Sequence, residues 1–223
     1  MTKKRPQSKP YKKSEASRQL VIDAAVATLA TRGFAQTSVQ DIADTAKLSK
    51  GAVHYHFESK NDLIQCVLSQ CCEVLSARAR AAWEAPGTAM DRVRRAVEQM
   101  WIVRKERTPE FKVISDLMAQ AVHDESLRAQ VARMFQRNRE ELVEAGLHGL
   151  SALGVKPRVS EAVVPRLLLA ALDGLALHAV FDPMQPDEEM ETLRALELIS
   201  MSLFEFPATG DESAPITSMK IAT

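Results

Sequence analysis

Residues Thr37–Lys60 read TSVQDIADTAKLSKGAVHYHFESK, two short helical patterns joined by a tight turn, followed by a second turn into a third helix. Thr37 and Ser38 supply cap oxygens ahead of the first helix, and Asp41 stands three residues beyond Ser38, in the carboxylate position of a capping box. Val39, Ile42 and Ala43 give this helix one apolar face. Ala46-Lys47-Leu48 makes the turn, and Ser49 caps a second helix running from Lys50 to about Tyr55, which carries Lys50, Ala52, His54, Tyr55 and His56. Phe57 ends it, and Glu58-Ser59-Lys60 opens a longer helix. This is the layout of a helix-turn-helix whose second helix has the size to enter a DNA major groove.

Upstream, Ser14 to about Arg32 reads as a helix with Leu20, Val21, Ala24, Ala25 and Leu29 as its buried stripe. Gly33 ends it in a left-handed cap against which Phe34 packs, and Arg18 is expected to face outward. Residues 1–13 hold six basic residues, no acid and two prolines, and are expected to be disordered when free. Two readings of that segment stay open: a solvated tail, or an arm that lies along phosphates or in the minor groove.

The charge is distributed unevenly. Residues 1–60 carry 11 Lys and Arg against 5 Asp and Glu, whereas the rest of the 223-residue chain carries 18 against 24, so a formal net charge of zero conceals a basic head on an acidic body. A composition 46% hydrophobic and only 5% aromatic, rich in Ala and Leu, favours an ordinary soluble all-α fold. Cys66, Cys71 and Cys72, an odd, low count without paired spacing, fit a reducing cytoplasm and most often act as small buried hydrophobes, with a redox or metal-sensing role as the alternative reading. No run reaches the ~18 uninterrupted apolar residues of a membrane span, and the basic N-terminus lacks the apolar core of an export signal. A cytoplasmic protein with no membrane partner is expected.

Beyond Lys60 the periodicity predicts six further helices, about nine in all. They cover Lys60 to Trp83, Thr88 to Arg107 with Asp91 in capping-box position, Pro109 to about Val122, Asp124 to Gly154, Ser160 to Phe181, and Asp187 to about Phe206. The helix ending at Phe181 is apolar nearly all round, and Gly174 within it needs a packing reason, which a close helix crossing supplies. Leu168, Leu172, Gly174 and Leu175 there, with Leu196, Ile199 and Leu203 of the last helix, read as half of a two-fold four-helix dimer interface. Residues 207–223 lose periodicity and are expected to be disordered. The expected division is thus a basic arm over 1–13, a DNA-binding domain over 14–58, a ligand-binding and dimerisation domain over 59–206, and a tail over 207–223.

Residues 18–63, RQLVIDAAVATLATRGFAQTSVQDIADTAKLSKGAVHYHFESKNDL, resemble the N-terminal domain of the TetR family of bacterial transcriptional regulators almost without gaps. Two positions depart from the usual pattern: Lys47 stands where the family usually has Gly, and His54 where it usually has Tyr. The run Leu172-Asp173-Gly174-Leu175 resembles one common subgroup of the family's C-terminal domains. The resemblance implies a homodimeric repressor on a palindromic operator in double-stranded DNA, its half-sites ~34–36 Å apart, released by a small-molecule effector. Lys50, His54 and Tyr55 are expected nearest the bases, with Ala52 against a thymine methyl and Gln40 as a lesser candidate. Thr37, Ser38, Lys47, Ser49, His56 and Lys60, with the helix N-termini, are expected on phosphates.

Trp101, Phe111, Met118, Met134, Phe135 and His178 are the expected lining of a largely apolar effector pocket, with induction by population shift carried through the helix that begins at Lys60. No cofactor or metal is expected. A second class is an interaction protein on the same fold, such as a DNA-scaffolded cell-division inhibitor. An enzyme is disfavoured, because no nucleophile, base and orienting group converge and the glycine patterns of phosphate and dinucleotide loops are absent.

Overall fold

The computed structural model describes residues 10–207. Ten α-helices make up nearly all of this span: α1 Pro10–Arg32, α2 Val39–Ala46, α3 Lys50–His56, α4 Lys60–Glu84, α5 Ala89–Lys105, α6 Pro109–Ala121, α7 Glu125–Leu142, α8 His148–Ala152, α9 Val163–Phe181 and α10 Pro186–Ser202. The excess over nine has one cause. The helix expected over Asp124 to Gly154 is divided into α7 and α8 by a π-helical turn, Val143–Leu147. Two two-residue strands, β1 Lys156–Pro157 and β2 Phe204–Glu205, pair antiparallel and tie the α8–α9 loop to the end of α10.

The chain divides into two compact units. The first takes the described part of Met1–Cys72 together with Pro109–Ala132. Its core is Val21, Ala25 and Leu29 of α1, Ile42 of α2, Val53 of α3, Phe57, and Leu63, Ile64 and Val67 of α4, with Leu117 of α6 and Leu127 of α7. This unit also takes in α6, which packs on α1. Helix α1 begins at Pro10, four residues before the expected Ser14, because proline at a first helical position gives up an N–H that would be unbonded anyway. Leu20 is 53% exposed, so the buried stripe passes through Val21 and Ile22 instead. Residues 1–9 and 208–223, and with them most of the expected arm and tail, lie outside the described residues.

The second unit takes Glu73–Thr108 and the described part of Arg133–Thr223. Helix α5 starts at the expected capping box, in which Thr88 Oγ1 accepts from Asp91 N at 3.1 Å. The buried Arg92 and its neighbour Arg95 donate to the carbonyls of Trp83, Gly87, Ala82, Ala85 and Pro86, placing two cations at the carbonyl end of α4. Trp83 lies over Gly146 of the π turn and Gly149 of α8, two residues without a β-carbon; a Cβ on Gly149 would come 3.0 Å from its Nε1. Helix α10 is capped by Gln185 with Glu188, not by Asp187, because Pro186 takes the first helical position and moves the cap upstream.

Helices α9 and α10 are held to α5 by charge. Arg104 Nε donates to Asp173 Oδ1 at 2.7 Å, and Trp101 Nε1 and Lys105 Nζ donate to Glu189 at 2.9 and 2.6 Å. Hydrogen bonds from Lys105 and then Trp101 hold the Glu189 carboxyl below its ordinary pKa. By length and composition α9 is apolar enough to cross a membrane, but Arg166 and the ion-paired Asp173 interrupt its apolar run, and it buries Val164, Pro165, Leu169, Leu172 and Ala176 within the unit. Leu172 and Leu196, expected on an outward interface, are buried core residues at 0% and 5% exposure, since they lie on the inner faces of their helices. Ile199 is exposed, while Leu168, Leu175 and Leu203 are half-buried. Apart from its chain neighbours and its own helix backbone, no atom of the described residues lies within 4 Å of the Cβ position of Gly174, so no other described helix crosses closely there.

Candidate nucleic-acid interface

The helix-turn-helix is built by its own polar side chains. Ser38 caps α2 and Asp41 returns the bond, with Ser38 N donating to Asp41 Oδ2 at 2.8 Å. The Ser38 hydroxyl, its amide and the nearby Arg32 hold the Asp41 carboxyl below its ordinary pKa. Lys47 ends α2 at φ 55°, a left-handed conformation that costs an L-residue roughly 1 kcal/mol, and Leu48 N closes the cap on Ala43 O at 2.9 Å. Ser49 Oγ then accepts from Ala52 N at 3.1 Å and starts α3. Val53 and Phe57, 1% and 2% exposed, pin α3 to the core.

This anchoring leaves one face of α2–α3 outward. Ser38, Gln40, Lys47, Ser49, Lys50, His54 and Tyr55 are all exposed, Tyr55 at 77%, and Ala52 is half-buried among them. Gln40 Nε2 is held by Asp44 Oδ1 at 2.7 Å, which fixes its amide at the edge of that face. Seven of the eleven expected DNA contacts are thus exposed on α2, α3 and the turn between them, and an eighth, Ala52, is half-buried there.

The other three are turned inward. Thr37 is 3% exposed and its hydroxyl donates to Gly33 O at 2.7 Å. The Lys60 ammonium donates to Thr37 O at 2.6 Å and Phe34 O at 3.3 Å and sits 4.0 Å above the Phe34 ring. Burial lowers its pKa, and its charge stabilises the α1–α2 turn instead of a phosphate. His56 Nε2 shares a 3.0 Å hydrogen bond with Ser17 Oγ, and its ring meets Tyr55 and Phe57 edge-on, so it is a packing residue. Arg18, expected to face outward, donates to Cys66 Sγ at 2.9 Å and lies over Phe57. The start of α4 is likewise no open phosphate site: Asp62 Oδ2 accepts from Glu58 N, and Ser59 Oγ accepts from Asp62 N. A residue absent from any local pattern completes the turn: Asp116 Oδ2, on α6, accepts from Phe34 N at 2.6 Å.

The expected pocket residues do not form one cluster within either unit. Phe111 (buried) and Met118 (half-buried) are in the first unit, while Trp101 and Met134 (buried), Phe135 (half-buried) and His178 (exposed) are in the second. Among the described residues no group of three or more His, Cys, Asp or Glu is arranged to hold a metal ion. Cys71 and Cys72 are buried, and burial, then Cys72 and Glu110, push the Cys71 thiol far above its ordinary pKa, so it is inert as a nucleophile.

Comparison with known proteins agrees with this geometry. A profile described as "Bacterial regulatory proteins, tetR family" matches residues 21–67, and a second, "BetI-type transcriptional repressor, C-terminal", matches 89–199. The HTH-type transcriptional regulator CymR of Pseudomonas putida is 26% identical over 187 residues, which is 81% of this chain and 88% of that protein. TtgR of Pseudomonas putida, also an HTH-type transcriptional regulator, is 35% identical over 69 residues, 31% of this chain and 33% of its own length. Among solved structures, GusR of Salmonella enterica superposes with a TM-score of 0.68 at 20% identity, covering 88% of this chain and 97% of that one. A TetR-family transcriptional regulator from Cytophaga hutchinsonii gives 0.69 at 17% identity, covering 89% and 98%.

Proposed function

This chain belongs to the TetR family of DNA-binding transcriptional regulators, which are not enzymes, and we propose that it is a cytoplasmic, homodimeric repressor released from a palindromic operator by a small, largely apolar effector. The observation that carries the reading is the outward face of α2–α3. Its recognition helix is capped by Ser49 and anchored by Val53 and Phe57, and it presents Lys50, His54 and Tyr55 as exposed side chains with no other described helix over them. Lys50 and His54 supply donors for base edges or phosphates, Tyr55 an exposed ring, and Lys47 a further cation one turn away.

Dimerisation is supported by the apolar surface that α9 and α10 leave exposed. Leu167 and Leu177 are 50% exposed, Phe181 81%, Leu198 62% and Ile199 60%. The open space at Gly174 lies on the same helix and permits a helix of a second copy to approach closely. This face takes the place of the one expected through Leu172 and Leu196. Apolar Phe111 and Met118 on α6 favour an apolar effector, which must bind better to a dimer whose recognition helices are wrongly spaced.

The test is selection of duplexes from a random pool, followed by titration of the selected sequence. Lys50→Ala is expected to relax discrimination at one base-pair position by about 1–3 kcal/mol, with the remaining positions unaffected. A uniform loss over all positions would remove Lys50 from base readout.

A further inference from the structure

The turn between α1 and α2 is held from two sides by side chains that belong to neither helix. Gly33 (φ +76°) leaves α1, and Phe34 follows. The Phe34 amide is taken by Asp116 of α6 at 2.6 Å, while its carbonyl, with that of Thr37, is taken by the Lys60 ammonium of α4. The fit at Asp116 is close, since a Cβ on Gly33 would stand 3.4 Å from Asp116 Oδ2. Thr37 Oγ1 donates back to Gly33 O, making the five residues one stiff loop, and that loop runs directly into Ser38, the cap of α2. Helix α2 packs on α3 and is joined to it by three residues. The direction in which α3 points is therefore set at the turn, and the turn is set partly from α6.

We propose that Asp116 is a positioning residue for DNA recognition: its carboxylate on the Phe34 amide ties the orientation of α2–α3 to the position of α6. The inference rests on the DNA-binding reading and names the contact through which α6 regulates that same face. Apart from Arg128, which donates to the Ala121 carbonyl at the helix's end, α6 is otherwise seated on its unit by the apolar side chains Phe111, Val113, Ile114, Leu117 and Ala121, which tolerate small sliding. A hydrogen bond does not: displacement of about 1 Å along the bond would carry the 2.6 Å contact beyond hydrogen-bond range. Phe111 and Met118, two expected effector contacts, lie on this same helix, so a ligand that moves α6 acts on the Phe34 amide with no long pathway in between.

The experiment compares the full-length chain with Asp116→Ala and Asp116→Asn, using the duplex that the wild-type chain selects from a random pool and a mixed-sequence duplex of equal length. Asp116→Ala is expected to weaken binding of the selected duplex about tenfold or more, leaving mixed-sequence binding within about twofold, because the cationic surface is retained while α3 is mis-set. Asp116→Asn, which keeps an acceptor oxygen, is expected to recover most of the preference. Parallel loss on both duplexes would show a merely structural residue, and wild-type preference in Asp116→Ala would show no role; either overturns the proposal.

Should Asp116→Ala not fold, amide exchange on the wild-type chain decides. By reciprocity, binding of the selected duplex must slow exchange in Pro109–Ala121, and unchanged exchange overturns the coupling. A wild-type chain that selects no duplex overturns the DNA-binding reading itself and this inference with it, whereas a selective wild type with an equally selective Asp116→Ala overturns the inference alone.

Discussion

Lys60→Ala is expected to destabilise the first unit by about 1–2 kcal/mol and to leave the salt dependence of DNA binding unchanged. The magnitude follows from two carbonyl acceptors losing a charged donor, reduced because the site is only half-buried. The salt result follows from direction. Each cation that neutralises a phosphate contributes about 0.9 to the slope of log affinity against log salt, and the Lys60 ammonium points at Phe34 and Thr37. Lys47→Ala, by contrast, removes an exposed cation beside the recognition helix and is expected to flatten the slope by about that amount. Salt titrations of the two variants beside thermal melts separate the roles; a flattened slope for Lys60→Ala would restore it to the interface.

The second large effect lies in the other unit. Arg104 and Asp173 join α5 to α9 with side chains 9% and 23% exposed, and Arg104 also donates to Met100 O. Removing Arg104 alone strands a carboxylate on a largely apolar helix. Arg104→Ala is expected to cost about 2–3 kcal/mol, the low side for a buried pair because Asp173 keeps some contact with water. Arg104→Met with Asp173→Leu together should cost markedly less than the sum of the single changes, because neither charge is then left alone. Additive losses in denaturant melts would show that the pair is not coupled.

The helix-turn-helix was legible in the sequence because its determinants are local. Ser38 with Asp41, Ser49 and Gly33 each act within four residues, and each forms the bond its spacing implies. Errors arose where a side chain is satisfied from far along the chain. Lys60 reads as a free cation at a helix start, but its acceptors are 23 and 26 residues back. Asp116 reads as an ordinary acid on an amphipathic helix, and nothing near it announces a partner 82 residues away. The apolar periodicity of α9 and α10 marks the helices but not which side faces out: Leu172 and Leu196 are buried, whereas Leu167 and Phe181 are exposed. The π turn has no spacing signal of its own, since Val143–Leu147 continues the helical pattern on either side.

The central claim is that two copies of the α2–α3 face read one duplex in fixed register. The most direct measurement is the affinity for the selected duplex before and after insertion of five base pairs at its centre, which turns one half-site by about half a helical turn. The expected result is a fall to the mixed-sequence level, about a thousandfold or more, because the second recognition helix then faces the wrong side of the DNA. Equal affinity for the two duplexes would contradict the paired arrangement.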